Sequence, residues 1–176
     1  TDECGNEIKH VQVITVVDTT VPEWQSELPG DVTVECNMLP LPAVLTATDH
    51  CDADVLVTYN ETRVDGDCTY SYTLVRVWAA TDDCGNAITH TQRITVEDTT
   101  APVWSQDMPE DETVECDGVP VAPVITATDN CGNVTVDYDE VRTDGDCADG
   151  YTLTRTWIAT DECGNEIKHV QVITVV

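Results

Sequence analysis

Residues 151–161 read YTLTRTWIATD, and their apolar residues recur at every second position. Leu153, Trp157 and Ala159 fall on one face of an extended chain, while threonines occupy most of the other face. Alternation with period two, rich in threonine and aromatic residues, is typical of a half-buried β-strand. The stretch therefore predicts a strand with one face in a hydrophobic core.

The word that follows, TDECGNEIKHVQVITVV at 160–176, also forms residues 1–17, and a variant begins at Thr81. Isoleucine fills the position of Ile173 in all three copies, whereas Val13 is replaced by Arg93. A face that accepts arginine for valine is solvated, so the isoleucine face is predicted to be the inner one. The same pattern predicts strands near 31–36, 43–48, 55–63, 70–80 and 87–96, with equivalents in a second copy.

The whole chain is internally repetitive. DTTVPEW at 18–24 matches DTTAPVW at 98–104, an offset of 80 that becomes 79 after one extra residue behind Cys51. We interpret 18–97 and 98–176 as two repeats, and 1–17 as the last strand of a preceding repeat in a longer array. Short strands separated by regular turns predict an all-β fold of tandem immunoglobulin-like or fibronectin-III-like β-sandwiches of about 80 residues.

The composition favours a secreted protein. Nine cysteines, two lysines and a net charge of −27 in 176 residues are typical of a chain stapled by disulfides in an oxidising compartment. The acidity argues against nucleic acid, whose phosphates would be repelled. No apolar stretch reaches the roughly 20 residues of a membrane helix, so we expect no membrane insertion in this segment.

Sandwich topology predicts how the cysteines pair, a choice that cysteine counting leaves open. In each repeat two cysteines fall at the upstream end, where the chain enters, and two at the downstream end. Pairing within each end closes loops of about 30 residues, and Cys4 is left for a partner outside the 176 residues. The predicted bonds are Cys36–Cys68, Cys51–Cys84, Cys116–Cys147 and Cys131–Cys163.

Two kinds of polar residue on the strands are interpreted as structural. Arg76 and Arg155 share the face of the tryptophans, which predicts a buried or rim arginine paired with a carboxylate. His90 and His169 hold one strand position in successive copies, as does His10, which favours a structural role over catalysis.

The stretches DTTAPVW, TVEC, ITATDNCGNVTV and YTLTRTWIATDECGN resemble HYR-like (hyalin-repeat-related) modules of large bacterial surface adhesins, especially those of Bacteroidetes. The resemblance implies a β-sandwich in a long, extracellular, cell-surface-attached chain. Such modules serve adhesion or build stalks.

No catalytic motif emerges, so the chain is interpreted as a non-enzyme with no required cofactor. The glycine and asparagine of the CGN words suit tight turns. Successive cysteines of a repeat have 14 to 16 residues between them, which is not the spacing of a zinc knuckle. Glycosylation signals occur at Asn60 and Asn133 (Asn-x-Thr) and at Thr19 and Thr99 (Asp-Thr-Thr), where simple turn residues are the alternative.

Carboxylates cluster near the predicted repeat junctions. Oxygen ligands at a flexible junction suit calcium, and a solvated acidic surface is the alternative. The candidate ligands are Glu97, Asp98, Asp129, Asp161, Asp65 and Asp67 at one junction, and Asp18, Asp49 and Asp82 at the junction before it.

Two functions fit these observations. The first is a structural stalk or filament segment, whose partners are neighbouring repeats of the same chain or filament. The second is an adhesive module that binds a surface glycan or protein through the loops at its ends. Aromatic residues that dock sugars on those loops would favour the second function, but here the aromatics lie mainly on strands or at the linker.

Overall fold

The computed structural model describes residues 1–146 and 149–176. Its regular structure is all β apart from one 3₁₀ turn at Cys36–Met38. The strands are β1 (Glu23–Trp24), β2 (Val32–Glu35), β3 (Ala47–Thr48), β4 (Leu56–Asp65), β5 (Tyr72–Thr81), β6 (Ala87–Glu97), β7 (Val103–Trp104), β8 (Glu112–Val114), β9 (Ala127–Thr128), β10 (Val134–Asp144), β11 (Tyr151–Asp161) and β12 (Glu166–Val175).

The strands form the same two kinds of sheet twice. A two-stranded antiparallel sheet, β1-β3 and then β7-β9, accompanies a four-stranded sheet of order β2-β6-β5-β4 and then β8-β12-β11-β10. In each larger sheet the first strand runs parallel to the last one, as Val32 opposite Ile94 and Glu112 opposite Ile173. The prediction of an all-β fold is confirmed.

Contacts divide the chain into two compact units. The first comprises Thr1–Leu28, Val44–Tyr59 and Trp78–His90, and the second comprises Pro29–Ala43, Asn60–Val77 and Thr91–Val176. The downstream end of repeat 1, with Cys36 and Cys68, thus belongs to the same unit as all of repeat 2. The repeat boundaries themselves stay a prediction.

The isoleucine face is buried, as predicted. Ile94 and Val96 pack with Leu74 in one core cluster, and Ile173 and Val175 pack with Leu153 in the equivalent cluster. These side chains lose contact with water because the alternation of β6 and β12 turns them all to one side of the sheet.

The predicted arginine pairs are confirmed. Arg76 donates to Glu61 at 2.7 Å and to the carbonyl of Pro40 at 2.9 Å. Arg155, which is buried, donates to Glu140 and to the carbonyl of Pro120, both at 2.7 Å. Each guanidinium therefore lies on the same face of its strand as the tryptophan, where a glutamate carboxylate neutralises its charge and a proline carbonyl accepts a further hydrogen bond.

The region near 43–48 differs from its prediction. Only Ala47–Thr48 forms a strand there, and it pairs with Glu23–Trp24, which the alternation did not predict as a strand. Prolines at 40 and 42 lack backbone amide donors, so the segment before Leu45 cannot build a ladder. Leu45 is nevertheless buried.

Candidate functional site at the repeat junction

The recurring TDxCGN word forms a tight turn that presents a cysteine. The Asp161 carboxylate accepts hydrogen bonds from the backbone amides of Cys163 (2.8 Å) and Asn165 (2.9 Å) and from Asn165 Nδ2 (2.8 Å). Gly164 has φ 89°, a left-handed conformation that glycine adopts without steric cost. Asn165 Nδ2 also donates to the carbonyl of Asp98 at 3.1 Å, which joins the turn to the linker. The predicted CGN turn is confirmed.

Two disulfides connect the downstream end of repeat 1 to the upstream end of repeat 2. They join Cys36 to Cys131, with Cα atoms 5.8 Å apart, and Cys68 to Cys163, with Cα atoms 5.1 Å apart. Each bond spans 95 residues of sequence. All four cysteines lie within the second compact unit.

These bonds overturn the predicted pairs Cys36–Cys68 and Cys131–Cys163. Each of those pairs does belong to one end of a repeat, but the two ends face one another across the short linker. A thiol at one end therefore meets a thiol of the next repeat, and the bond forms across the junction. The pairing argument failed because it allowed bonds only inside a repeat.

The remaining predicted pairs have different outcomes. Cys51 and Cys84 are both exposed free thiols, so the predicted Cys51–Cys84 bond is wrong. Cys116 is also an exposed free thiol, and its predicted partner, Cys147, lies outside the described residues. Cys4 is exposed, and its bond to a partner beyond the 176 residues stays a prediction.

Three carboxylates converge beside the two disulfides. Asp98, Asp129 and Asp161 each place a carboxylate oxygen within 4.8 Å of the other two. Glu35, the last residue of β2, has a carboxylate oxygen within 4.8 Å of Asp98 and of the sulfur of Cys131. Glu35 also accepts hydrogen bonds from the amide and the hydroxyl of Thr99. Asp98 thus lies near carboxylates of both repeats, Glu35 on one side and Asp129 and Asp161 on the other.

The carboxylates are held close at an electrostatic cost. Asp98 is 8% exposed, and one of its oxygens, Oδ2, is buried without a hydrogen-bond partner, as is Oδ2 of Asp129. Burial raises the pKa of Asp98, and the nearby Asp129, Asp161 and Glu35 raise it further. Burial also opposes ionisation of Asp161, but the hydrogen bonds from Asn165 outweigh it and lower that pKa. A cation would compensate the unpartnered oxygens.

The predicted calcium ligands are only partly brought together. Asp98, Asp129 and Asp161 meet, whereas Asp65 is engaged by Arg63 at 2.5 Å. Glu97 is exposed, and Glu97, Asp65 and Asp67 do not belong to the clusters found among the described residues. At the position predicted for the preceding junction, Asp18 and Asp49 lie within 4.8 Å of the Cys51 thiol, and Asp82 accepts a hydrogen bond from Asn86 Nδ2 at 2.8 Å.

Sequence reasoning missed Glu35 and a steric contact between Tyr70 and Gly132. A signal for Glu35 existed, because the VEC word places a glutamate before Cys36 and again before Cys116. A Cβ atom on Gly132 would lie 2.4 Å from Cε2 of Tyr70, so only glycine leaves room for that ring. Tyr70, an aromatic residue on the downstream loop of repeat 1, is therefore packed at the junction.

The glycosylation predictions stay untested. Asn60 and Asn133 are exposed, and Asn133 Nδ2 donates to Glu162 at 3.0 Å. Thr19 and Thr99 are also exposed, but the Thr99 hydroxyl already bonds Glu35. A glycan on Thr99 would have to compete with that bond.

Comparisons with known proteins give structural neighbours alone. No family model matches the chain, and no curated protein matches it. The structure of Drosophila N-cadherin EC1-4 is 12% identical with a TM-score of 0.36, covering 89% of this chain. This chain spans 50% of that one.

Two further neighbours match at similar levels. Human mucin-like protocadherin EC1-2 is 14% identical with a TM-score of 0.33, covering 85% of this chain and 97% of its own. The N-terminal Ig1-2 module of the Drosophila receptor protein tyrosine phosphatase DLAR is 12% identical with a TM-score of 0.30, covering 89% and 100%. Within the described residues, no helix has the length and apolarity to cross a membrane.

Proposed function

We propose that this chain is a structural segment of an extracellular, cell-surface-attached protein, in which consecutive repeats are locked together covalently. The observation that carries the proposal is the pair of bonds Cys36–Cys131 and Cys68–Cys163. A single linker leaves two domains free to swing, and a second attachment removes most of that freedom. Three attachments, the linker and two cystines, suit a stalk that transmits force and holds its direction.

The chemistry of the junction fits that role. Disulfides persist in the oxidising surroundings of secreted proteins, so the links endure where a surface stalk operates. The close approach of Tyr70, two residues after Cys68, to Gly132, the residue after Cys131, adds a packed contact between the two repeats.

Scattering in solution tests the stalk function. Four serine substitutions remove the junction cystines, at Cys36, Cys68, Cys131 and Cys163. They should broaden the distribution of interatomic distances measured by small-angle X-ray scattering, because the two repeats become free to change their relative orientation. The control, Cys51→Ser with Cys84→Ser, should leave the distribution of the monomer unchanged. Equal distributions for the wild type and the four-serine variant would show that the cystines do not fix the junction.

We also propose that the junction binds one calcium ion through Asp98, Asp129, Asp161 and Glu35. Carboxylate oxygens are the ligands that calcium prefers, and here two repeats contribute them. The buried, unpartnered Oδ2 atoms of Asp98 and Asp129 support the proposal, because buried polar atoms normally have a partner. The ion would tie Glu35 of repeat 1 to the linker and loops of repeat 2.

Calorimetric titration with calcium chloride tests this site. Asp98→Asn should weaken binding at least tenfold, since it removes a buried charge that lies near all three other carboxylates. Asp117→Asn, an exposed carboxylate on the turn after β8, is the control and should bind as the wild type does. Identical titrations for the two variants would place calcium elsewhere or exclude it from the chain.

The alternative function, adhesion through the end loops, is tested separately. Tyr70 is engaged at the junction, so it does not present a ring to a sugar from the downstream loop of repeat 1. A glycan array probed with the two-repeat protein should show no specific binding if the chain is a stalk segment. Reproducible binding to one glycan class would instead assign it an adhesive role.

A further inference from the structure

The upstream end of repeat 1 carries the same two cysteines and turn aspartates that repeat 2 presents to Cys36 and Cys68. Cys51 corresponds to Cys131, and Cys84 corresponds to Cys163. Cys131 is bonded and 5% exposed, whereas Cys51 and Cys84 are free and exposed. The same position is thus covered in one repeat and open in the other.

The open end is already shaped like the covered one. Asp49 accepts a hydrogen bond from the Cys51 amide at 2.8 Å, as Asp129 does from the Cys131 amide at 2.7 Å. At the second thiol, Asp82 accepts from the Cys84 amide at 3.0 Å, as the Asp161 carboxylate does from the Cys163 amide at 2.8 Å. Both thiols are therefore held by the turns that present a bonded cysteine in repeat 2.

Carboxylates accompany these thiols as they accompany the junction cystines. Asp18 and Asp49 lie within 4.8 Å of the Cys51 sulfur. The charge of Asp18, then burial, Asp49 and Asp82, raise the pKa of the Cys51 thiol. Burial, then Asp18, Asp82, Asp83 and the nearby Cys51, raise the pKa of the Cys84 thiol. The open end thus has the acidic character of the covered one.

We propose that this upstream end docks the downstream end of repeat 2 of a second copy of the chain, with Cys51 forming a disulfide to its Cys116. The proposal rests on the proposed stalk function. Cys116 is the counterpart of Cys36, follows a glutamate as Cys36 does, and has an exposed free thiol.

A difference between the repeats specifies which end docks where. Repeat 2 has Gly132 directly after its cysteine, where it accommodates Tyr70 of repeat 1. Repeat 1 has Asp52 and Ala53 at that point instead of a glycine, and the counterpart of Tyr70 in repeat 2 is Asp149. The upstream end of repeat 1 lacks the glycine that makes room for a tyrosine ring, and the downstream end of repeat 2 lacks that ring. This match favours repeat 2 of the second copy as the neighbour upstream of repeat 1.

The bond can form by thiol–disulfide exchange with oxidised glutathione. The Cys51 and Cys116 thiols lose two electrons and two protons to the glutathione disulfide, which becomes two glutathione thiols. No other reactant is consumed. Exchange in a glutathione buffer also lets a wrong pairing rearrange to the most stable one.

Oxidation of the whole chain tests the proposal. Concentrated protein is equilibrated in a glutathione redox buffer, with and without calcium chloride. It is then alkylated and separated on a non-reducing gel. Covalent dimers and longer species should form, and digestion with trypsin and an Asp-directed protease should yield a Cys51–Cys116 peptide. Cys51→Ser should reduce the dimer yield at least fivefold, whereas Cys4→Ser, which removes another exposed thiol, should not.

The outcomes separate this inference from the stalk function. If the same digest contains Cys36–Cys131 but shows Cys51 bonded to Cys84, or Cys116 bonded to Cys147, the inference fails and the stalk function survives. Dimers that form equally through Cys4 would also overturn it, since random oxidation of exposed thiols would explain them. A Cys36–Cys68 peptide would refute the locked junction itself.

Discussion

The upstream ends of the two repeats share their turns, their carboxylates and their cysteines, yet one is covered and the other is open. Asp98 and Cys131 are buried at the end of repeat 2 that meets repeat 1. Their counterparts at the other end are Asp18, half-buried, and Cys51, exposed. The burial of these groups is therefore a property of the junction and not of the repeat, and the junction is where function is to be sought.

A second pair of regions makes the same point with identical sequences. Ile14 is 73% exposed, and Ile173, in the same word at 160–176, is fully buried. Ile173 belongs to β12, which lies between β11 and β8 in its sheet. Residues 1–17 form no strand in the structure. The same alternating sequence is therefore buried only where neighbouring strands pair with it and pack against its apolar face.

The largest expected effect comes from removing one junction cystine. Cys36→Ser combined with Cys131→Ser opens a loop of 95 residues, worth roughly 4.6 kcal/mol in the chain-entropy model. Chemical denaturation under oxidising conditions should show this loss. The matched change at the open end, Cys51→Ser with Cys84→Ser, should alter stability by less than about 0.5 kcal/mol. If both double substitutions lowered the free energy of unfolding equally, the covered and open ends would not differ in their contribution to stability.

Calcium should stabilise the covered end by a somewhat smaller amount. A ligand that binds the folded chain at a hundred times its dissociation constant adds about 2.7 kcal/mol. Thermal unfolding should therefore shift upward by several degrees with calcium, and chelator should reverse the shift. Asp98→Asn should abolish most of the shift, and Asp18→Asn, its counterpart at the open end, should preserve it. A shift that survives Asp98→Asn would contradict the assigned ligands.

A smaller effect is expected from filling the space beside Tyr70. Gly132→Val should cost about 1–2 kcal/mol, because the ring must move from a position that only glycine permits. Tyr70→Ala in the same chain should relieve most of that cost, as measured by a double-mutant cycle. Ala53→Val in the corresponding loop of repeat 1 should be nearly neutral. Additive losses from Gly132→Val and Tyr70→Ala would mean that the two residues do not meet.

The smallest effect concerns a feature in which the repeats agree, the arginine–glutamate pair. Hydrogen bonds from Arg155 and Tyr138 lower the pKa of Glu140. Its ionised form stabilises the fold above the unfolded pKa near 4.5, and that stability is lost as the pH falls through the lowered folded pKa. Glu140→Gln should flatten this acid limb by about 1 kcal/mol or less, since Glu140 is partly exposed.

The pH series has a control on the same strand. Asp139 is exposed on β10, and Asp139→Asn should leave the slope of stability between pH 5 and pH 3 as it is. If Glu140→Gln has the wild-type slope too, the pair with Arg155 does not contribute to acid stability.

The sequence predicted most of the fold because its signals are local. Alternation in 151–161 identified the strand, and the drift from Val13 to Arg93 separated the solvated face from the core around Ile173. Arg155 was correctly placed on the inner face with a carboxylate. The turn at Gly164 followed from the CGN word.

The junction was harder to predict because it depends on how one repeat meets the next. Cys36 and Cys131 are 95 residues apart, and nothing in their local sequence distinguishes a bond across the junction from one inside a repeat. Asp98, Asp129 and Asp161 were assigned together because they occur at one end, but Glu35 comes from the neighbouring repeat. The contact between Tyr70 and Gly132 depends on both residues, and the local sequence around either one does not predict it.

Disulfide mapping of a four-cysteine variant tests the locked junction most directly. Serine replaces Cys4, Cys51, Cys84, Cys116 and Cys147, so that only three pairings remain. Trypsin then places each remaining cysteine on its own peptide, 10–63, 64–76, 94–142 or 156–168. Mass spectrometry without reduction should find peptide 10–63 joined to 94–142 and 64–76 joined to 156–168. Peptide 10–63 joined to 64–76 would show that each repeat closes on itself, and the covalent junction would be refuted.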